Sequence, residues 1–171
     1  FFGRLPALKQ HRDNLGNGDV LKPGDVQKMT AGSGIIHSEF NPSDKEPVHF
    51  LQIWIIPNML DLRPSYEQKA FNRKNMTNQL TLLVSPDGHN GSLEIHQDAE
   101  IWQILLEENK DTEFAINHSR KIWIQVAEGS VSTNEHLLVA GDGLAVSDEE
   151  GIIRLRGIDK LSNIIIFNLR T

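Results

Sequence analysis

The run Asn17-Gly-Asp-Val-Leu-Lys-Pro-Gly24-Asp25 recurs 117 residues later as Asn134-Glu-His-Leu-Leu-Val-Ala-Gly141-Asp142. Ten residues beyond each of these glycines stands a second Gly-Ile pair, Gly34-Ile35 and Gly151-Ile152. The register still holds at Phe50 and Phe167, inside strand-like apolar runs over 48–54 and 164–169. Glycines at matching points in unbroken register mark a duplicated unit, so the chain is expected to fold as two related halves rather than one.

Short apolar alternations separated by turn residues give each half an all-β signature. Strands are expected near 20–21, 26–29, 34–40 and 48–56, and in a denser series from 80–85 to 163–169. Turns fall at 15–18, 22–25, 86–88, 128–129 and 140–143, where Gly supplies positive φ and Pro fixes the bend. The organisation read from this is a first unit over 1–60, a connection over 61–85 and a second unit over 86–171. Residues 66–71 within that connection read as one or two helical turns.

The 171 residues and 39% hydrophobic content suit one large or two small all-β units. A net charge of -6 and a pI near 5.6 argue against direct nucleic-acid binding, which needs a basic face. The absence of cysteine excludes disulfides, zinc ribbons and thiol catalysis, and fits an intracellular, cytoplasmic protein. No apolar run approaches the length of a membrane span. The opening Phe1-Phe2-Gly3-Arg4-Leu5-Pro6 has neither an initiator Met nor a signal-peptide layout, and reads as a chain entered from upstream.

Chemistry concentrates in Ala31-Gly-Ser-Gly-Ile-Ile-His37-Ser-Glu39. On a strand, residues two apart project from one face, so His37 and Glu39 would converge on one spot. Imidazole nitrogen with carboxylate oxygen suits Fe, Mn, Ni or Zn. Shifted by the repeat, the pair lands on Arg154 and Arg156, which carry donors only and cannot ligate a cation. The second unit is therefore expected to hold no metal. Its two arginines read either as an anion site or as a solvated face paired with Asp148, Glu149 or Glu150. His49 alternates with Leu51 and Ile53 and reads as a core histidine near the same cavity, with Gln52 on the other face. His11, His89, His96, His118 and His136 lie among polar or turn residues without a partner at ligand spacing. Trp54, Trp102 and Trp123 read as core. No phosphate-binding loop, nucleophile elbow or His-Glu-x-x-His helix appears.

The stretch from His11-Arg-Asp13 through Lys22-Pro-Gly-Asp-Val-Gln27 to Gly34-Ile-Ile-His-Ser-Glu39 resembles the pirin family of bicupins. So do Glu46-Pro-Val-His-Phe-Leu-Gln-Ile-Trp-Ile55, Pro64-Ser-Tyr-Glu-Gln-Lys69, Ser85-Pro-Asp-Gly88 and Ile95-His-Gln-Asp98, and the resemblance spans about residues 7–171. It implies two jelly-roll cupin β-barrel sandwiches, the first incomplete at its N-terminus, with one divalent metal in the first. Iron is the implied ion, with Ni, Mn, Cu or Zn as alternatives. The family's later His and Glu ligands map onto His37 and Glu39. Its earlier His-x-His pair has no counterpart and is expected upstream of Phe1, so this chain is expected to bind metal weakly or not at all. Residues 1–10 depart from the family pattern, and Pro6 is out of place in a central strand.

The resemblance further implies a quercetin 2,3-dioxygenase-type oxidoreductase acting on a flavonol-like aromatic, with Glu39 both ligand and general base. The alternative it implies is a metal- or redox-responsive binding protein that modulates a protein partner such as a transcription factor. A third reading is a truncate that keeps only the scaffold.

Overall fold

Strand follows strand through the described residues, 2–3, 9–14, 16, 18–133 and 136–171 of a computed structural model. Pro6 and three residues of the repeat, Asn17, Asn134 and Glu135, lie outside them. The chain divides into two compact units, Phe1–Asn72 and Arg73–Thr171.

The first unit contains β1 (Phe2–Gly3), β2 (Lys9–Asp13), β3 (Gly18–Leu21), β4 (Asp25–Thr30), β5 (His37–Phe40), β6 (Phe50–Leu51) and β7 (Ser65–Ala70). They form two sheets, β6-β1-β4-β7 and β3-β2-β5. The second contains β8 (Thr81–Ser85), β9 (Leu93–Glu94), β10 (Ala99–Glu107), β11 (Asp111–Ile116), β12 (Arg120–Glu128), β13 (Ser130–Ser132), β14 (Leu137–Val139), β15 (Gly143–Val146), β16 (Gly151–Gly157) and β17 (Leu161–Arg170). These also form two sheets, β15-β12-β17-β10-β8-β9 and β11-β16-β13-β14.

The sequence repeat is a repeat of topology. β1 lies between β6 and β4 as β12 lies between β17 and β15, and β2 lies between β3 and β5 as β13 lies between β14 and β16. The shared turn has the same bonding in both copies. Asp25 N donates to Lys22 O at 2.9 Å while Asp25 Oδ2 accepts from Lys22 N at 2.8 Å. In the second copy Asp142 N donates to Val139 O at 2.9 Å, and Asp142 Oδ2 accepts from Val139 N at 2.9 Å. Gly24 and Gly141 sit at φ +95° and +99°, which explains why glycine precedes both aspartates.

The interiors differ. In the second unit Ile104, Leu106, Ile122, Ile124, Val126, Val131, Leu155, Ile164 and Ile166, drawn from both sheets, form one aliphatic core. Each such side chain contributes about 1.5–3 kcal/mol on burial. The first unit buries His11, Asp25 and Gln27 beside Leu21 and Val26.

Four local expectations are corrected. Residues 66–71 are not helical, because Ser65–Ala70 form β7, which pairs along β4 from Asp25–Ala70 to Thr30–Ser65. Of the run 48–56, only Phe50 and Leu51 pair, as β6. Trp54 consequently stands 86% exposed and His49 is exposed as well, so neither is a core residue. Arg154 and Arg156 do not occupy the interior spot matching His37 and Glu39. On β16 the inward positions belong to Ile153, Leu155 and Gly157, and the arginines point outward. A one-residue slip in a period-two element exchanges its faces, and Leu155 gains more from burial than a guanidinium does.

Candidate metal centre

β2 and β5 run antiparallel with His11 opposite Glu39 and Asp13 opposite His37. Directly opposed residues share a face, as do residues two apart on one strand. The register therefore gathers His11, Asp13, His37 and Glu39 on one side of the sheet. Arg12 and Phe40 take the other side, where the guanidinium lies 5.5 Å from the ring centroid.

The loop before β5 fixes where His37 begins. Gly34 N donates to Ala31 O at 2.8 Å, and Ile36 is tied to Asn14 by two bonds, through its carbonyl at 2.9 Å and its N–H at 3.1 Å. Gly32 sits at φ +52°, with the Leu62 carbonyl where a Cβ would project.

The opposite sheet completes the site. Gln27 of β4 donates from Nε2 to Glu39 Oε1 at 2.9 Å and lies 3.2 Å from His11 Nδ1. Tyr66 of β7 stacks on the His11 ring, 4.5 Å between centroids and 15° between planes. Its hydroxyl donates to Gln68 Oε1 at 2.8 Å, and Gln68 Nε2 donates to Asp25 Oδ2 at 3.0 Å. The repeated turn is thereby linked to the residues around His11.

His11 is the centre of this arrangement. Its Nε2 lies 3.1 Å from Asp13 Oδ2 and its Nδ1 lies 3.0 Å from Glu39 Oε1. His37 Nδ1 stands 3.5 Å from the same Glu39 oxygen. Side-chain exposure rises from 0% at His11 through 12% at Glu39 to 24% at His37, so the site opens toward His37.

His11, His37 and Glu39 each offer one ligand atom, all within 4.8 Å of one another, and no other such group occurs among the described residues. The donor set fits a divalent transition metal, since two imidazoles and a carboxylate suit Fe, Ni, Mn, Cu and Zn. Two of the three donor pairs also stand close to the spacing one ion requires. Donors bonded at about 2.1 Å to one ion lie about 3.0–3.4 Å apart along an octahedral or tetrahedral edge, against 3.0 and 3.5 Å for the His11–Glu39 and His37–Glu39 pairs.

The structure thus brings together the pair singled out from sequence, His37 and Glu39, and adds His11, Gln27 and Tyr66. A signal for His11 was present: His11-x-Asp13 is a second polar pair at the strand period, matching His37-x-Glu39. The remaining candidates lie elsewhere. Arg154 and Arg156 pair across strands with Glu113 and Asp111, not with 148–150. His89 bonds Asp87 and His118 bonds Glu150 near the surface. Gln52 is exposed, and Trp102 is half-buried with its indole N–H on Glu100 at 3.0 Å.

Two jelly-roll units, one with a polar interior bearing a His-His-Glu cluster and one with an aliphatic interior, define a cupin of the two-domain kind. The sequence matches the Pirin family over residues 8–55 and the quercetinase C-terminal cupin domain over residues 82–169. It is 38% identical over 165 residues to quercetin 2,3-dioxygenase of Escherichia coli K12, covering 96% of this chain and 69% of that one. The crystal structure of YhhW from Escherichia coli superposes with a TM-score of 0.88 at 37% identity, covering 98% of this chain and 69% of that one. The structure of the bacterial pirin YhhW in complex with nickel(II), from the same organism, also gives 0.88, at 36% identity over 99% of this chain and 70% of that one. The chain belongs to the pirin family. No helix among its described residues is long and apolar enough to cross a membrane.

Proposed function

We propose that this chain is a divalent-metal-dependent dioxygenase of the quercetin 2,3-dioxygenase type, with a flavonol-like aromatic as substrate. The observation that carries the reading is the convergence of His11, His37 and Glu39 ligand atoms within 4.8 Å in a pirin-family chain. The 38% identity to an enzyme named quercetin 2,3-dioxygenase supports the substrate class.

His37, Glu39 and His11 Nδ1 would hold the metal; iron is the expected ion and nickel the first alternative, since a similar bacterial pirin is solved with nickel(II). Bound there, a divalent ion supplies Lewis acidity that makes a flavonol hydroxyl easier to deprotonate. The chain's own groups do the rest. Glu39 carries the carboxylate that accepts the hydroxyl proton, which requires hydrogen-bond reach of the substrate oxygen. Gln27 anchors its Oε1 at 2.9 Å, so the carboxylate holds one orientation as the substrate arrives. Tyr66, stacked on His11, closes the inner side, while the exposure of His37 leaves the approach open. Burial around His11 and Gln27 keeps bulk water from competing for the proton.

The test is oxygen uptake and loss of quercetin absorbance by the chain loaded in turn with Fe, Ni, Mn and Cu. Turnover with at least one metal, abolished by Glu39→Gln, is the expected result. No turnover with any of them, under conditions where the Escherichia coli relative is active, overturns the reading.

A further inference from the structure

We propose that Tyr66 is a positioning residue of the metal centre: anchored through Gln68 to the turn aspartate Asp25, it holds the plane of the His11 ring. The inference rests on the metal reading above and adds to it a residue whose own hydroxyl is bonded elsewhere.

Each nitrogen of an imidazole bonds in the plane of the ring, so the tilt of His11 sets the direction in which it can act. Rotation about the bond to the ring is soft in histidine, without the sharp staggered wells that fix an aliphatic side chain. Asp13 at 3.1 Å and Glu39 at 3.0 Å hold the two nitrogens at the ring's edge, and neither presses on its faces. Tyr66 does. Its ring lies 4.5 Å from that of His11 between centroids and 15° from parallel, a contact that opposes tilting.

Tyr66 is itself fixed. On β7 it lies opposite Met29, and Gln68 lies opposite Gln27, so Tyr66 and Gln68 share a face of the sheet. The Tyr66 hydroxyl donates to Gln68 Oε1 at 2.8 Å, and Gln68 Nε2 donates to Asp25 Oδ2 at 3.0 Å. The same Asp25 oxygen accepts the Lys22 N–H at 2.8 Å inside a turn where Asp25 is buried. Turning the phenol off the His11 face would break this run of bonds. The turn that opens β4 therefore bears on the orientation of a side chain in β2. Packing and outer hydrogen bonds of this kind hold a binding group within about 10–20° of its working geometry.

Cobalt(II) affinity of the whole chain, measured by competition with a chromophoric chelator, tests this in wild type, Tyr66→Leu, Tyr66→Phe, Gln68→Leu and the double variant of the last two. Y66L removes the stack and should bind about tenfold or more weakly, with shifted cobalt d–d bands. Y66F keeps the ring and loses the anchor, so it should fall between wild type and Y66L in affinity and spectrum. Q68L cuts the same anchor at its other end, and the double variant should bind no more weakly than the weaker of its two parents. A wild-type chain that binds no cobalt overturns the metal reading and this proposal with it. Wild-type binding with Y66F unchanged in affinity and spectrum overturns the Tyr66 assignment alone, as does a double variant in which the two losses add in full. Where Y66L does not fold, Y66F and Q68L decide between the same outcomes. A second measurement needs no variant. Tyr66 is the single tyrosine of the chain, so tyrosine-labelled protein gives one set of ring signals, which bound cobalt should shift strongly. Ring signals that bound cobalt leaves unmoved overturn the proposal.

Discussion

His11 and Glu39 are 28 residues apart in the chain, yet they face each other across paired strands with Nδ1 and Oε1 separated by 3.0 Å. The spacing is set by strand register, and a register cannot drift by a fraction of a residue. A cluster built on two strands is more precisely held than one built on loops. The same register keeps Asp13 and His37 beside the pair, and the facing sheet brings Gln27 and Tyr66.

Gln27 offers the simplest test of this packing. Gln27→Leu removes the donor to Glu39 Oε1 in a site where Gln27 itself is 3% exposed. Losing such a bond costs about 1–3 kcal/mol. Urea unfolding of the metal-free chain should show a loss of that size in the first unit. Gln27→Glu should cost more, because it places a second carboxylate against Glu39.

Gly32 tests the loop that launches β5. Gly32→Ala adds a Cβ that meets the Leu62 carbonyl and the Pro64 nitrogen, at a φ of +52°. Gly34, at +133°, has nothing near its Cβ position. Thermal melting should show G32A destabilised by more than about 1 kcal/mol. G34A suffers only the backbone strain and should be destabilised less than G32A.

Much of this was legible in the sequence. The Pro-Gly-Asp and Ala-Gly-Asp turns exposed the duplication because a turn of that geometry needs glycine at its positive φ and aspartate to accept the returning N–H. His37 and Glu39 were legible because strand period alone puts them on one face. His11 was legible only as half of a polar pair with Asp13, since periodicity tells which residues share a face but not which distant strand lies alongside. The arginines misled for a related reason: offset 117 aligns them with His37 and Glu39, but Leu155 and Ile153 claim the inner face of β16. Trp54 misled because apolar alternation signals a coverable face without supplying the cover.

Those arginines give an expected null. Arg154 bonds Glu113 at 2.7 Å and Arg156 approaches Asp111 at 3.5 Å, each pair half or more exposed. Exposed pairs contribute about 0–1 kcal/mol. Arg154→Ala and Arg156→Ala should shift stability by no more than that, and neither should alter metal affinity.

Asp87, in the second unit, gives a pH dependence of its own. The His89 side chain, bonded to its carboxylate at 2.6 Å, does most to lower its pKa from 3.8 to about 2, helped by the His89 N–H and by Ser85 Oγ. A depressed folded-state pKa contributes stability that is complete above 3.8 and is lost as pH falls toward about 2. Acid unfolding of wild type should therefore carry a contribution in that window that Asp87→Asn lacks. A carboxyl carbon titration by NMR places the midpoint directly.

The most direct test of the central claim is anomalous diffraction from crystals of the whole chain soaked in nickel(II). The account requires one strong peak bonded to His11 Nδ1, His37 and Glu39. A map with no peak there, or with nickel only at exposed pairs such as His89–Asp87 and His118–Glu150, would contradict it.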